Sequence, residues 1–302
     1  VPNTTIKGYF KNDTASIYNT SGEYNIMEKS WKGNSGSVNW TRVGFSPSEV
    51  NASFGKYQID MTKPSYSVDS VKLTYPEYFP TPVYGRLTDK ITKEEDFTTV
   101  TYPQFITYGK NYSFDRKISP NVRVSGGLLI KGNDVIVSSE DGSPVNVMIY
   151  DVQNTKKLFS AEGTSCIFKR GNYIKMDKSR IKLFVGLDSI SHPFASFKYE
   201  VQKNEVTVLR EEYGGGKARY RSTFHKMSFD AEMLTWKLDD DHMDLKMLVG
   251  KGKNAAKFIS DNNFDQETYN TARTASINLD PLTVLSKMSN EGSEPVPLDR
   301  YV

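Results

Sequence analysis

Cysteine is almost absent from this chain of 302 residues, which contains only Cys166. A single thiol excludes an internal disulfide framework and leaves almost no basis for a cysteine-based metal cluster. Cys166 stands in a strand-like run, which predicts a buried and unreactive thiol rather than a nucleophile. A chain of this length can bury a sizeable core without disulfides or metals.

Long apolar runs and a large excess of one charge are also absent. The longest apolar runs, such as Leu128-Leu129-Ile130, are far shorter than the roughly 18 residues that a transmembrane helix needs, so no transmembrane segment is predicted. The net charge is only +3 and basic residues alternate with acidic ones, which predicts no nucleic-acid partner. The chain opens at Val1 without an initiator methionine or a signal-peptide pattern, and we expect it to be an excised part of a longer protein.

Aromatic residues are abundant, with 18 tyrosines and 16 phenylalanines, and they suit half-buried strands better than helices. Apolar and polar residues also alternate in several runs, as expected of strands that bury one face. Such runs begin at Tyr57, Val71, Val145, Ile181 and Met243. Turn sequences separate them, among them Lys131-Gly132-Asn133, Asp141-Gly142 and Lys203-Asn204. The pattern predicts a mainly β fold of stacked antiparallel layers, either solenoid-like or sandwiched.

Composition divides the chain into four stretches. Residues 1–36 are rich in Asn, Thr, Ser and Gly, which predicts a loosely ordered entry segment. We expect a first β region over 37–120, a second β region over 121–252, and short helices with a tail over 253–302. A single continuous β domain is the alternative.

Helix is predicted only near the end of the chain. Asp280 followed by Pro281 is typical of a helix N-terminus, and apolar residues recur at helical spacing over 281–290. A second short helix is predicted over 254–260. The mainly β fold therefore carries a short helical C-terminal segment.

The best candidate binding residues are aromatic. Pro80 and Pro82 lack the backbone N–H that an interior strand donates to its neighbour. The stretch around them is therefore predicted to be a stiff extended connection rather than an interior strand. Aromatic side chains on rigid loops bind sugar rings or partner peptides in many proteins. The alternative is that these rings pack in the core or pair across strands. The candidate ligand-binding residues are Tyr75, Tyr78, Tyr84, Tyr102 and Tyr108.

No motif predicts a catalytic site. Asp188, Ser189 and His192 bring together the residue types of a hydrolytic triad, but triads assemble from distant segments, so this run is interpreted as a strand end and turn. The glycine run before Lys217 is followed by Ala218, where a phosphate loop requires Ser or Thr. We predict no catalytic residue and no cofactor.

Two acidic stretches are candidate metal sites. Residues 239–242 join two strand-like runs, which predicts a solvated hairpin loop. Residues 261–267 resemble the first half of a calcium-binding loop. However, Gln266 and Ala272 occupy the positions at which such a loop has its glycine and its bidentate glutamate. We therefore predict no metal site.

One weak self-similarity links two parts of the chain. Tyr57–Met61 precedes Val68-Asp69-Ser70-Val71, and Tyr173–Met176 precedes Leu187-Asp188-Ser189-Ile190. At these residues the chain resembles long, uncharacterised β-rich cell-envelope proteins of Gram-negative bacteria. The resemblance covers about residues 37–250. It implies stacked β layers and a location in the cell envelope, on the periplasmic or extracellular side, and it supplies no catalytic residue.

These observations favour a non-enzymatic structural or interaction module of a larger secreted or cell-envelope protein. Its expected partners are neighbouring modules of the parent chain or another envelope protein. The first alternative is a carbohydrate-binding or adhesin-like domain that uses aromatic residues within 75–114 to bind a glycan. The second alternative is a hydrolase whose carboxylate pair comes from distant residues and leaves no local motif.

Overall fold

The computed structural model describes residues 1–10, 13–91, 101–115, 118–169, 172–211, 218–238, 240–248, 256–261 and 270. Contacts divide the chain into two units, Val1–Phe258 and Ile259–Val302, and nearly all described residues belong to the first unit. The positions at which composition predicts internal boundaries, near residues 36 and 120, lie inside this first unit.

Strands account for most of the described chain. The N-terminal strands are β1 (Thr4–Phe10), β2 (Asp13–Asn25), β3 (Ser30–Asn39), β4 (Asn51–Phe54), β5 (Tyr57–Asp60), β6 (Ser65–Thr74), β7 (Val83–Lys90) and β8 (Gln104–Thr107). The next ten are β9 (Tyr112–Ser113), β10 (Val122–Gly126), β11 (Leu128–Lys131), β12 (Asp134–Ser138), β13 (Val145–Tyr150), β14 (Lys157–Gly163), β15 (Ser165–Lys169), β16 (Tyr173–Val185), β17 (Asp188–Glu200) and β18 (Glu205–Arg210). The last are β19 (Tyr220–Ser222), β20 (Met227–Phe229), β21 (Met233–Lys237), β22 (Met243–Lys246) and β23 (Phe258–Ser260). The predicted mainly β fold is confirmed.

The strands form an antiparallel sheet that does not close on itself. Its long strands each pair with more than one partner. The first half of β3 pairs with β5 and its second half with β4. Likewise, Tyr173–Lys175 of β16 pair with β15, whereas Arg180–Leu183 pair with β14. Short strands are thereby joined into one hydrogen-bonded network.

Three long strands contain a residue in the left-handed region at the point where their register shifts. These residues are Asn19 in β2, Ser70 in β6 and Lys178 in β16, with φ angles of 51°, 55° and 53°. The register shifts occur over 18–21, 68–71 and 176–179. An extra residue in this conformation bends a strand and increases its twist, so each strand changes direction without ending.

The core consists mainly of residues that alternate along the strands. In β13, Val145, Val147 and Ile149 are fully buried, while the residues between them are partly exposed. Burying each such side chain stabilises the fold by roughly 1.5–3 kcal/mol. Cys166 is also fully buried, as predicted, and burial raises the pKa of its thiol well above the ordinary value.

The N-terminal stretch differs from its prediction. Residues 1–36 were expected to be loosely ordered, but their described part contains β1, β2 and most of β3. The physical reason is visible in β2, where Asp13, Ala15 and Ile17 are buried and the residues between them are partly exposed. Small and polar side chains can follow the period of a strand while the overall composition resembles that of a loop.

The helical predictions have two outcomes. The helix predicted over 254–260 is wrong where the structure describes it, because Phe258–Ser260 form β23. The helix predicted over 281–290 lies outside the described residues. A short 3-10 helix is present at Thr41–Val43, before Gly44 with φ of 96°. Within the described residues, no helix has both the length and the apolar character needed to span a membrane.

Candidate functional site

The tyrosines predicted to bind a ligand do not share one surface. Tyr75 and Tyr78 are buried, and their rings meet edge to face with centroids 4.9 Å apart. Tyr78 also contacts the rings of Phe114 and Phe168. Tyr102 is half-buried. The structure therefore places the first two rings in the core, where the connection between β6 and β7 folds inward, rather than on an exposed platform.

Tyr84 and Tyr108 are the exposed members of the predicted set, at 55% and 43%. The Tyr108 backbone N–H donates to the Tyr84 carbonyl oxygen at 3.0 Å. The Tyr108 hydroxyl donates to Asp69 Oδ1 at 3.1 Å and accepts from the Ser70 N–H at 2.9 Å. Arg86 Nε donates to the same Asp69 oxygen at 2.8 Å. These five residues, the tyrosine patch, hold two neighbouring rings on the surface.

Asp188, Ser189 and His192 do not form a triad. The Ser189 N–H donates to Thr223 Oγ1 at 2.9 Å, and the Thr223 hydroxyl donates to Asp188 at 3.0 Å. His192 is buried and forms its hydrogen bonds with backbone groups instead. The local run is thus the start of β17, a strand end as interpreted, and the turn lies before it at residues 186–187.

The hydrogen bonds of His192 favour its neutral form. Its Nε2 lies 2.8 Å from the carbonyl oxygen of Ala218, and its Nδ1 accepts from the Phe194 N–H at 3.1 Å. A ring that accepts at Nδ1 and donates at Nε2 carries one proton. Burial also lowers the pKa of His192 below its ordinary value. This histidine is a structural residue of the core.

The acidic loop around His242 lies at the surface. Hydrogen bonding to Asp240 and the charge of Asp241 raise the pKa of His242. The side chains of Asp240, Asp241 and His242 are exposed, and the atoms by which they could bind a metal lie within 4.8 Å of one another. This exposed ion pairing fits the solvated loop predicted from the sequence. The glycine run before Lys217 and the calcium-like stretch after Asp261 lie outside the described residues.

The structure assembles a buried ionic cluster that the sequence reasoning missed. Arg42 Nη1 donates to Asp89 Oδ1 at 2.9 Å, and Arg42 Nη2 donates to Asp13 and to the carbonyl oxygen of Lys90. The side chains of Asp13, Arg42 and Asp89 are 7%, 10% and 2% exposed. We call these three residues the Arg42 cluster. It ties the start of β2 and the end of β7 to the 3-10 helix.

One carboxyl of this cluster titrates near neutral pH. Burial raises the pKa of Asp89 to about 6, and the neighbouring charge of Asp13 acts in the same direction. Arg42 and the Lys90 N–H oppose this shift without cancelling it. Asp89 therefore gains a proton in the folded state at a pH where an exposed aspartate remains charged.

A polar cavity of about 330 Å³ adjoins the Arg42 cluster. Besides the cluster, its lining includes Lys7, Thr14, Ser16, Tyr18 and Asn39. Within the described structure, Arg42 Nε has no hydrogen-bond partner. A carboxyl with a pKa near neutral beside a cavity is one arrangement for acid–base chemistry. Here both carboxylates are buried and bound by one guanidinium, so the cluster is better placed to join β2 and β7 to the 3-10 helix than to meet a substrate.

A second and larger cavity lies beside β1. It has a volume of about 760 Å³ and is an open groove rather than an enclosed void. Its lining includes Ile6–Phe10 of β1 and residues 59–64, which are the end of β5 and the turn that follows it. We call it the β1 groove. Its size falls in the range of ligand-binding clefts.

The sequence offered few signals for these features. Asp13 and Arg42 are separated by 29 positions, and Arg42 and Asp89 by 47 positions, so no local motif could reveal their contact. The one available signal was the alternation of Asp13 with Ala15 and Ile17, which places the carboxylate on the inward face of β2.

Comparisons with protein-family models, with curated proteins and with solved structures found no match. Functional inference for this chain therefore rests on its own residues and geometry.

Proposed function

We propose that this chain is a non-enzymatic structural or interaction module of a larger secreted or cell-envelope protein. The observation that carries the proposal is an unclosed antiparallel sheet with strands paired on one side only. Within the described residues, β1 pairs only with β2, and β22 pairs only with β21. An unpaired strand edge offers N–H and C=O groups to another strand. The expected partners are neighbouring modules of the parent chain or another envelope protein.

The strand order supports a layered, solenoid-like arrangement within the first unit. β17 pairs with β18 through Ala195–Glu200 and with β19 through Ile190 and Ser191, just as β16 divides its pairing between β15 and β14. Long strands that change partners at a bend extend two layers together, with alternate apolar residues between them. Such an arrangement can continue into a further module at an open edge.

A cell-envelope location on the periplasmic or extracellular side belongs to the same proposal. Its support is the resemblance of the two Asp-Ser runs to β-rich envelope proteins. The two runs occupy different places, because Asp69 and Ser70 lie at the bend within β6, whereas Asp188 and Ser189 open β17. Both places nevertheless lie in long strands of the layered region.

The edge strands also carry exposed apolar side chains. Tyr9 of β1 is 67% exposed, and Leu245 of β22 and Leu248 just beyond it are exposed as well. Apolar residues on an unpaired strand favour association with another chain. A partner that covered these edges would bury the side chains together with the backbone groups.

Sedimentation velocity over a range of protein concentrations tests the proposal. We expect the wild-type chain to self-associate as its concentration rises, because flanking modules are absent, and Tyr9→Lys and Leu245→Lys to weaken this association. Tyr84→Lys is the matched control, because the exposure of Tyr84 lies between those of Tyr9 and Leu245 but Tyr84 is on β7, which pairs on both sides. A wild-type chain that stays strictly monomeric at high concentration would contradict the proposal.

A second candidate function is carbohydrate binding by the tyrosine patch. The observation that favours it is the pair of exposed, adjacent rings, one of them fixed by a hydrogen bond from its hydroxyl to Asp69. Retention on immobilised glycans should fall when Tyr84→Ala and Tyr108→Ala are combined. Tyr108→Phe keeps the ring and is the control for stacking. Unchanged retention of the double variant would count against this function.

A further inference from the structure

The β1 groove extends from the face that β1 shares with β2, where Ala15 and Ile17 also line it, to the edge of β1 that is not paired with β2. Every residue from Ile6 to Phe10 contributes to the groove lining. A strand that shows one face contributes alternate residues, so a run of five consecutive lining residues is expected where the strand presents its edge. Since β1 pairs only with β2 within the described residues, this edge is the side on which a further strand could be added.

The groove has an apolar floor. Ile17 of β2, Ile59 of β5 and Ile91 after β7 line it, together with Ile6. A Cβ atom at Gly8 would lie 2.5 Å from Ile91 Cδ1, so glycine at this position lets β1 approach Ile91 closely. An added strand would place every second side chain over this floor.

The charges that line the groove are mainly positive. Lys7, Lys63 and Lys90 line it, against a single carboxylate, that of Asp60. Lys63 lies 3.5 Å from Asp60, and the Thr62 hydroxyl donates to the same carboxylate. In the described part of the chain, neither Lys7 nor Lys90 has a carboxylate within salt-bridge distance. The groove therefore carries two lysines available to an acidic ligand.

We propose that the β1 groove binds an extended peptide segment in which apolar and acidic residues alternate, and that the segment adds to β1 as a strand. The backbone edge pairs with its main chain, the floor receives its apolar side chains, and Lys7 and Lys90 attract its carboxylates. This inference rests on the proposed function as an interaction module, and it names the chemistry of the partner.

The first test uses peptide probes with blocked ends. A fluorescent seven-residue peptide that alternates valine and glutamate should bind the full chain, and the matching peptide of valine and lysine should not. Lys7→Glu combined with Lys90→Glu should lower the affinity at least about fivefold, because two attractions become repulsions. Lys131→Glu, an exposed lysine on β11, is the matched control and should change little.

A second variant tests the shape of the groove. Gly8→Val fits the backbone of β1, which is not left-handed at this position, but its side chain would push Ile91 into the groove. We expect this variant to remain folded and to lose binding of the acidic peptide. Amide hydrogen exchange of residues 6–10 should slow when the peptide binds the wild-type chain, since strand addition protects the β1 edge.

Several outcomes would overturn the inference. Equal binding of the acidic and basic peptides would remove the role of the lysines, and binding without protection of β1 would exclude strand addition. Binding of dodecanoate with no binding of either peptide would identify the groove as a site for an amphiphile instead. If neither peptide binds while the wild-type chain still self-associates through β1 and β22, only this inference is contradicted. If Tyr9→Lys and Leu245→Lys also leave self-association unchanged, the proposed function is contradicted as well.

Discussion

The middle of the first unit and its N-terminal end bury different kinds of side chain. In the middle, the neighbouring hydrogen-bonded strands β10, β13, β14 and β16 bury Val122, Val147, Phe159 and Leu183 completely. The N-terminal end also buries apolar residues, among them Trp40 and Ala52, but it contains the buried Arg42 cluster as well and adjoins cavities of about 330 and 760 Å³. Buried charges and unfilled space do not increase stability as a packed apolar core does. Under the proposed function, the middle maintains the fold and the N-terminal end contacts a partner.

The largest effect is expected at the Arg42 cluster. Arg42→Met leaves two buried carboxylates without their cation, and we expect a loss of about 3–5 kcal/mol in the free energy of unfolding near neutral pH. Arg123→Met is the matched control, because Arg123 stacks on the Tyr150 ring and is only half-buried. Urea denaturation measures both variants. A loss in the Arg42 variant no larger than in the control would show that the cluster does not hold the N-terminal end together.

A somewhat smaller effect is expected from a cavity in the middle. Leu183→Ala should cost about 2–5 kcal/mol, because this fully buried residue of β16 packs in a core that is already filled. Ile6→Ala at the β1 groove should cost less than about 1 kcal/mol, since Ile6 is half-buried and borders open space. Equal losses by urea denaturation would remove the distinction between the two regions.

The last expected effect is a dependence of stability on pH that has opposite sign at Asp89 of the Arg42 cluster and at His192 of β17. Asp89 has a folded pKa raised from 3.8 to about 6, so its contribution is fully present below its ordinary pKa and is lost as pH rises through about 6. His192 has a pKa lowered from 6.5, so its contribution is present above that value and is lost as pH falls.

Two substitutions separate these contributions. Relative to the wild type, Asp89→Asn should lack the decline in stability between about pH 4 and about pH 6, and His192→Gln should lack the decline on the acidic side of about pH 6.5. Denaturation curves recorded across this range provide the measurement. A pH profile of the Asp89 variant parallel to that of the wild type would contradict the raised pKa.

Much of the strand pattern could be predicted from the sequence. The alternating runs at Val145 and Ile181 lie in β13 and β16, and the turns at Gly132 and Asn204 join β11 to β12 and β17 to β18. Proline also had the predicted effect, since residues 75–82 connect β6 to β7 without forming a strand. These features depend on residues close together in the chain, where side-chain period and turn chemistry act directly.

The features that the sequence concealed depend on distant contacts. The burial of Tyr78 follows from how the connection after β6 folds inward, which composition does not determine, whereas Tyr84 is exposed because it alternates with buried Val83 and Gly85 in β7. The Arg42 cluster joins positions 13, 42 and 89, and the β1 groove exists only once β1 approaches the turn between β5 and β6. The strands within residues 1–36 were missed because their buried positions include small and polar residues.

The central claim is that the open edges of β1 and β22 are interaction surfaces, and amide hydrogen exchange at low and high protein concentration tests it most directly. We predict that residues 4–10 and 243–246 exchange quickly in the dilute chain and become protected as the concentration rises, while β13 and β16 are protected throughout. Exchange in β1 and β22 that does not change with concentration would contradict the claim.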